Sequence, residues 1–391
     1  MSERERSLEL LQRIERESLY ASILLIGETG FVRTIVLGVL RWRSRLDFAI
    51  EALAGRRLTK IDRVVVDILR IGVYQVGFMN VPPHAAVSET VDLAGRHANR
   101  AKGFVNAVMR KAATGLPEPA DVATRFAHPA WLMKRWSEMF GAERAAAIAD
   151  ANQQLSYPDA LVLSGPAPEG TQKSILVEGV VKLGGSSADL DRARFHPMDE
   201  GSAVVASIAA AAGEEILDLA AAPGGKSIFM RHQGRKVISN DLSITRLAPL
   251  RGRSPLVVSD ARVPPFRRPF ETVLLDAPCS ATGTIRKNPE IKWRLKEADL
   301  AGFASMQREL LRSALAMTGE TCVYSTCSLE PEENDAVVAA VLAGNPGFVV
   351  GDVARYAPAG SQRWVERGVL RLTPESGADG FTAHVLMRKK D

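Results

Sequence analysis

The chain has 391 residues, 46% of them apolar and 24% charged, and carries a net charge of +5. That length and balance suit a soluble globular protein of two or three domains, and no apolar run reaches membrane-spanning length, which excludes a transmembrane protein. The opening Met1-Ser-Glu-Arg-Glu-Arg-Ser7 has no apolar signal core, and three cysteines are an odd number, so a cytosolic protein with free thiols is expected.

The charge is unevenly spread. Residues 1–127 hold 19 Lys and Arg against 14 Asp and Glu, whereas the remainder is balanced at 31 against 31. A basic front on a neutral body suggests an electrostatic handle attached to a catalytic part; the plainer reading is a solvated surface.

From residue 5 to about 115 the pattern is helical. Leu8, Leu11 and Ile14 recur at helical spacing, as do Val32, Ile35 and Val39. Thr59-Lys-Ile-Asp62 reads as a capping box ahead of Val65, Ile68, Leu69, Gly72 and Val76, predicting a buried central helix that stops at Val81-Pro-Pro83. Helices over 84–97 and 101–114 complete an all-helical bundle. Arg41, Arg43 and Arg45 around Trp42 are a basic and aromatic mix able to hold a phosphate backbone, or else a solvated face with Trp42 in the core. The Gly- and Pro-rich 115–119 marks a linker. Trp131, Leu132, Trp136 and Phe140 then form an apolar packing stripe, and short strands are expected at 160–163 and 175–183. Domains are therefore placed at 1–118, 119–198 and 199–391.

From about residue 200 onward β and α patterns alternate, which predicts a doubly wound α/β body with a parallel sheet. Strands are expected at 216–220, 236–240, 256–259, 272–276, 321–325 and 382–387, with helices over 227–232, 243–250, 298–317 and 332–342. The apolar run Val273-Leu-Leu-Asp-Ala-Pro-Cys279 ends in an acid, a proline and a thiol, and Thr321-Cys-Val-Tyr-Ser-Thr-Cys327 is a second strand running out into a thiol. Asp276, Cys279 and Cys327 thus fall at the carboxyl edge of the sheet, where open α/β folds bind ligands. Cysteine is more often a small core residue, and Cys322, in mid-strand, is read that way. For Cys279 and Cys327, at strand exits, catalytic thiols are favoured. With no C-x-x-C pair and distant histidines, no metal is expected.

The turn after the first strand, Ala221-Ala-Pro-Gly-Gly-Lys-Ser227, lacks the first glycine of a P-loop and the G-x-G-x-x-G of a dinucleotide fold. It leaves a Gly224-Gly225 turn at a helix N-terminus, suited to a carboxylate. Asp241 past the second strand is placed to accept from ribose hydroxyls, and Asp260 past the third from an adenine amino group. Each acid alone reads equally as a helix cap. Together these positions fit an adenosine with an amino-acid tail, S-adenosylmethionine.

Two resemblances sharpen this reading. Leu37-Gly-Val-Leu-Arg-Trp-Arg-Ser-Arg-Leu-Asp47, Ile68-Leu-Arg-Ile-Gly-Val-Tyr-Gln75, Val81-Pro-Pro-His-Ala-Ala-Val-Ser-Glu89 and Gly103-Phe-Val-Asn-Ala-Val-Met-Arg110 resemble the NusB-like RNA-binding fold. Leu217-Asp-Leu-Ala-Ala-Ala-Pro-Gly-Gly-Lys-Ser227, Asp276-Ala-Pro-Cys-Ser-Ala-Thr-Gly-Thr-Ile-Arg-Lys-Asn-Pro-Glu290 and Tyr324-Ser-Thr-Cys-Ser-Leu-Glu-Pro-Glu-Glu-Asn334 are similar to the NOL1/NOP2/Sun family of RNA 5-methylcytosine methyltransferases. The combination resembles the bacterial Sun/RsmB type, which acts on small-subunit (16S) ribosomal RNA.

The resemblance implies a Rossmann-like class I methyltransferase sheet behind the helical domain. It also implies that Asp218, Ala222, Pro223, Gly224, Gly225 and Lys226 line the cofactor site, with Asp241 on the ribose, Asp260 on the adenine and Asp276 close by. Cys327 is implied as the thiolate that attacks cytosine C6, Asp276 as the group at the N3 edge, and Cys279 as the residue that assists release. The basic Arg286-Lys-Asn-Pro-Glu-Ile-Lys-Trp-Arg-Leu-Lys296 is read as tracking the RNA strand, or else as a loop with Trp293 buried. Relatives carry a small RNA-docking subdomain opening with a Leu-Arg-Val-Asn-like strand; here that place reads Pro158-Asp-Ala-Leu-Val-Leu-Ser164 and is shortened. The expected partner is 16S rRNA, with no membrane and no metal, and the chain is expected to act as a monomer. The competing classes are a non-catalytic antitermination-like RNA-binding protein, a methyltransferase for another RNA such as tRNA, and a DNA cytosine methyltransferase that uses Cys279 as nucleophile.

Overall fold

The computed structural model describes residues 1–17, 19–185 and 190–390. The chain divides into two compact units: Met1–Gln154 with Ile285–Leu295, and Leu155–Thr284 with Lys296–Asp391. The division falls at 154/155 rather than at 118 and 198, because the helices after the Gly/Pro stretch join the first unit and the short strands before residue 198 join the second.

The first unit is all-helical: α1 (Glu3–Glu17), α2 (Gly30–Ala54), α3 (Arg63–Phe78), α4 (Pro83–His97), α5 (Lys102–Ala112), α6 (Ala130–Phe140) and α7 (Ala142–Ala151), with short helical turns between. The central helix is α3, whose Ile68, Leu69, Ile71 and Val73 are fully buried. Its neighbour α2 comes close enough that a Cβ on Gly38 would lie 1.9 Å from the Tyr74 ring, so only glycine fits there. The anticipated capping box does not form. Leu58–Lys60 makes a turn of 3-10 helix instead, and Asp62 precedes α3 without a side-chain cap.

In the second unit a small antiparallel sheet comes first, in the order β2-β3-β1-β4: β1 (Asp159–Val162), β2 (Gln172–Lys173), β3 (Val180–Lys182) and β4 (Phe195–Pro197). The main layer contains α8 (Glu200–Ala212), β5 (Glu215–Asp218), α9 (Gly225–His232), β6 (Lys236–Asp241), β7 (Leu256–Val258), β8 (Phe270–Asp276), α10 (Asp299–Ala316), β9 (Thr318–Thr326), α11 (Asp335–Leu342), β10 (Phe348–Val350), β11 (Val365–Glu366), β12 (Val369–Leu372) and β13 (Phe381–Arg388). The strand order is β11-β12-β13-β9-β8-β5-β6-β7, with β10 on β13. Strands β5 to β9 are parallel, but β13 runs antiparallel to β9, so the sheet is mixed rather than all-parallel. The segment 243–250 is not a helix: Pro249 withholds an N–H, and the chain makes turns and a 3-10 turn at Ala248–Leu250.

Alternate residues of the inner strands feed separate cores. Leu274 and Val323 pack with Val204, Ile208 and Phe229 from α8 and α9, whereas Val273, Leu275 and Tyr324 pack with Leu311, Leu315 and Val341 from α10 and α11. Both faces are covered, which is why these strands read as unbroken apolar runs. The reversal of strand order occurs at β5, the crevice where this architecture binds ligands.

Candidate active site

The parallel register pairs Val273 with Cys322, Leu275 with Tyr324 and Asp276 with Ser325. Strands β8 and β9 therefore end level, and their exit loops bring Cys279 Sγ within 3.3 Å of Cys327 Sγ. Both thiols are partly buried, while Cys322 is fully buried in mid-strand and pushed up to about 12 by burial, as a core residue should be. The hydrogen bond to Cys327, followed by burial, raises the Cys279 thiol well above its ordinary range. Burial and the neighbouring sulfur thus favour the neutral thiol at Cys279, and either sulfur can donate across the contact.

Asp276 is held from both sides. Its Oδ1 accepts from Ser325 Oγ at 2.8 Å and its Oδ2 from Lys226 Nζ at 2.6 Å. The Lys226 ammonium also lies over the Phe381 ring, 5.1 Å from its centroid. Burial pulls the Lys226 pKa down, but Asp276, with lesser help from Asp218 and Cys327, outweighs that and raises it. Lys226 therefore stays charged against the carboxylate and close enough to Cys327 for a lesser electrostatic influence. The structure brings together Asp276, Cys279, Cys327 and Lys226, the last read from sequence only as a residue of the cofactor turn.

The turn between β5 and α9 has Gly224 at φ +111, and a Cβ there would sit 2.4 Å from Leu250. Only glycine allows this turn to deliver the N-terminus of α9 to the sheet edge. Asp241, at the end of β6, accepts from Ala222 N at 3.1 Å and from Ser243 N at 3.0 Å, so it ties the turn to the next strand. Asp260 is gripped by Arg262 at 2.6 Å, and that contact holds its carboxyl down at about 2. Asp218 lies deeper: it is 1% exposed, one oxygen accepts from Ser227 Oγ at 2.6 Å, and the other is buried without a hydrogen-bond partner. Its position suits holding the turn from behind. Asp241 ends β6 and is itself buried, whereas Asp260, past the end of β7, is partly exposed. The glycine turn, two edge acids and a helix N-terminus fit the tail, ribose and base of an adenosine bearing an amino acid. Among the described residues no group of three or more His, Cys, Asp or Glu is arranged to hold a metal, and no helix is long and apolar enough to cross a membrane.

The basic stretches are placed differently from the sequence reading. Arg41 is 5% exposed and donates to Arg286 O at 3.0 Å, Arg43 pairs with Glu15, and Arg45 grips Glu118 with Nη2 2.7 and 2.8 Å from its two carboxylate oxygens. Their charges hold the helical unit together. The 286–296 stretch likewise is not an open basic track. Lys292 is 1% exposed and donates to Arg41 O at 2.8 Å, Trp293 Nε1 donates to Leu40 O at 2.6 Å, and Arg294 bonds Ile14 O and Leu19 O. The alternative, a solvated loop with Trp293 buried, does not hold either: Ile291–Arg294 is a short helix in which Lys292 is buried and Trp293 half-buried. Exposed cations cluster elsewhere on this unit, at Arg56, Arg57, Lys60, Lys102, Arg110 and Lys111. Arg56 stacks on Phe104 of α5, and Lys111 reaches Leu53 O at the end of α2, so they share one region. None of the six has an acid partner among the described residues. Sequence reasoning passed over them because they are scattered over three separate stretches of the chain, 56–60, 102 and 110–111.

Comparison with known proteins agrees with the geometry. Residues 1–114 match the NusB family, and residues 205–387 match the family described as 16S rRNA methyltransferase RsmB/F. The ribosomal RNA small subunit methyltransferase B of Citrobacter koseri is 31% identical, over 93% of this chain and 91% of its own. That of Klebsiella pneumoniae strain 342 is 30% identical with the same coverage. Among solved structures, PH0851 superposes with a TM-score of 0.73 at 23% identity, covering 96% of this chain and 94% of its own. NSun6 from Pyrococcus horikoshii, solved with SFG, gives 0.57 at 18% identity over 67% of this chain and 99% of its own.

Burial raises the Asp218 carboxyl to about 7, with the Ser227 bond opposing. Because the folded-state value lies above the unfolded one, the associated stability is fully present below pH ~4 and is lost as pH rises through about 7. Asp218→Asn should remove this loss, so its unfolding free energy should gain on the wild type by on the order of 2 kcal/mol between pH 5 and pH 8. Denaturant titrations at the two pH values check this; parallel losses in both proteins would count against a neutral buried Asp218.

Proposed function

The chain belongs to the RsmB/F family of 16S rRNA methyltransferases, and on that premise we propose that it methylates C5 of a cytosine in small-subunit rRNA through a covalent bond from Cys327 to C6. The observation that carries the reading is the pair of thiols 3.3 Å apart beside the Lys226–Asp276 pair. Cytosine C5 is too weak a nucleophile to take a methyl group unaided, and sulfur addition at C6 turns the ring into an enamine-like species. S-adenosylmethionine supplies the electrophilic methyl group, and Gly224, Gly225, Asp241 and Asp260 are the residues proposed to hold it.

This chain's own groups divide the remaining work. Cys327 attacks as the thiolate, which the Cys279 S–H donor and the nearby Lys226 ammonium both favour. Asp276, fixed by Ser325 and Lys226, meets the polar edge of the base: the carboxylate accepts from the amino group while the ammonium donates toward N3 and offsets the negative charge that grows as sulfur adds. Cys279 then passes its proton to the departing sulfur of Cys327 and takes up the C5 proton in its place, as the carbon–sulfur bond breaks and the ring double bond reforms. A DNA-type mechanism with Cys279 attacking is disfavoured because burial and the neighbouring sulfur raise that thiol well above its ordinary range.

Three outcomes follow. With labelled rRNA and cofactor, Cys279→Ala should stall after attack and leave protein covalently joined to RNA on a denaturing gel, whereas Cys327→Ala and the double variant should give neither adduct nor product. An adduct from Cys327→Ala and none from Cys279→Ala would reverse the roles. Asp241→Ala should weaken cofactor binding by ~1–3 kcal/mol in calorimetry, as expected for a charged hydrogen bond; an unchanged affinity would remove Asp241 from the cofactor site. For the exposed cations, combined Arg56→Ala, Lys60→Ala, Lys102→Ala and Arg110→Ala should lower RNA affinity and flatten its salt dependence by roughly 0.9 per lost phosphate contact if duplex RNA behaves as B-DNA does. The same changes should leave cofactor binding intact. An unaltered salt slope would mean that RNA is held elsewhere.

A further inference from the structure

The two cysteine loops converge on a side chain to which the reaction assigns no part. Glu333 is fully buried at the end of the turn Pro331–Glu333. Its Oε2 accepts from the backbone N–H of Ser280 at 2.9 Å and from Gln307 Nε2 at 2.9 Å, and its Oε1 accepts from Ser328 Oγ at 2.6 Å and from Ser280 Oγ. Ser280 follows Cys279, and Ser328 follows Cys327. The two hydroxyls also lie 3.0 Å from one another. Gln307, fully buried on α10, donates to Pro278 O at 2.9 Å as well, so the residue before Cys279 is tied into the same cluster. Tyr324 OH anchors the Glu333 carbonyl at 2.5 Å, which fixes the acid to β9. Burying a carboxylate is costly unless donors surround it, and here the donors come from both thiol loops and the helix beneath them.

We propose that Glu333 is a positioning residue that sets the separation of Cys279 and Cys327. It acts through Ser280 and Ser328 and touches neither cytosine nor cofactor. The carboxylate gathers the starts of the two loops: without its four acceptor contacts Ser280 and Ser328 are joined to each other only by the bond between their hydroxyls, while the loops are tied farther on by Gly283 N donating to Cys327 O at 2.9 Å and Leu329 N to Thr282 Oγ1 at 2.9 Å. The consequence for catalysis rests on the two-thiol reading above, whereas the consequence for geometry does not.

Diamide offers a ruler that is independent of methylation. It takes two electrons and two protons from a close thiol pair, becoming the hydrazine as one S–S bond forms. In the wild type a disulfide reversible by dithiothreitol should form rapidly between Cys279 and Cys327, identified by peptide mapping. In Glu333→Gln, closure relative to iodoacetamide alkylation of Cys327 should slow at least tenfold; taking this ratio removes any change in thiol ionisation. Cofactor affinity should be unchanged, and the methylation defect should lie in kcat rather than in the KM for RNA. Ser280→Ala with Ser328→Ala should slow closure several-fold, and serves as the test if Glu333→Gln fails to fold. A folded variant with closure at the wild-type rate overturns the proposal, whatever its activity. Slowed closure in a protein whose Cys279→Ala form never gives an RNA adduct would sustain the positioning role and sink the two-thiol mechanism instead.

Discussion

The register between β8 and β9 is the constraint on which the site depends. Parallel neighbours about 4.8 Å apart leave the sheet at the same edge, and pairing Asp276 with Ser325 makes the two exit loops start level. A one-residue slip of β8 would turn Val273 and Leu275, and one of β9 would turn Tyr324, out of the core under α10 and α11 and into the core under α8 and α9. Packing on both faces therefore guards the alignment that brings two sulfurs together. The chemistry at the edge inherits its precision from apolar residues two or more positions away.

At that edge, charges are kept in a partly buried setting by mutual satisfaction. Lys226, which burial alone would drive toward neutrality, remains an ammonium because Asp276 binds it. Asp276 in turn is oriented by Ser325 as well as by the ammonium. Cys279 is raised by its partner thiol and by burial, which favours its neutral form. Groups paired in this way are held in place before any ligand arrives.

The helical unit uses cations in an unexpected way. Arg41 and Lys292 lie inside it with backbone carbonyls as partners: Arg41 donates to the carbonyl of Arg286, and Lys292 to that of Arg41. Trp293 does the same toward Leu40. The segment Ile285–Leu295 is thus knitted to α2 by reciprocal side-chain to main-chain bonds, and it starts only six residues after Cys279. The charges left for a polyanion are those with no such employment, around Arg56 and Lys102.

The sequence by itself determined what local pattern and chemistry can carry. Unbroken apolar runs at Val273–Leu275 and Cys322–Tyr324 require covered strands, the Pro278 and Thr326 exits release Cys279 and Cys327, and Gly224 marks a turn no other residue fits. The order of helical front and α/β back was legible for the same reason, since hydrophobic periodicity is a local property. Only the tertiary structure decided which partner each polar side chain meets. Arg41, Arg43 and Arg45 look like any exposed basic run until α1, the 115–119 stretch and residues 285–295 close over them. Lys226 looks like part of a phosphate loop until β8 brings Asp276 beside it. Glu333 has no signature at all, because a buried acid is distinguished from a surface one by the donors packed around it, and apart from Ser328 those come from positions 26 and 53 residues away along the chain. Side chains separated that far in sequence are made neighbours by strand order and helix packing, which periodicity cannot encode.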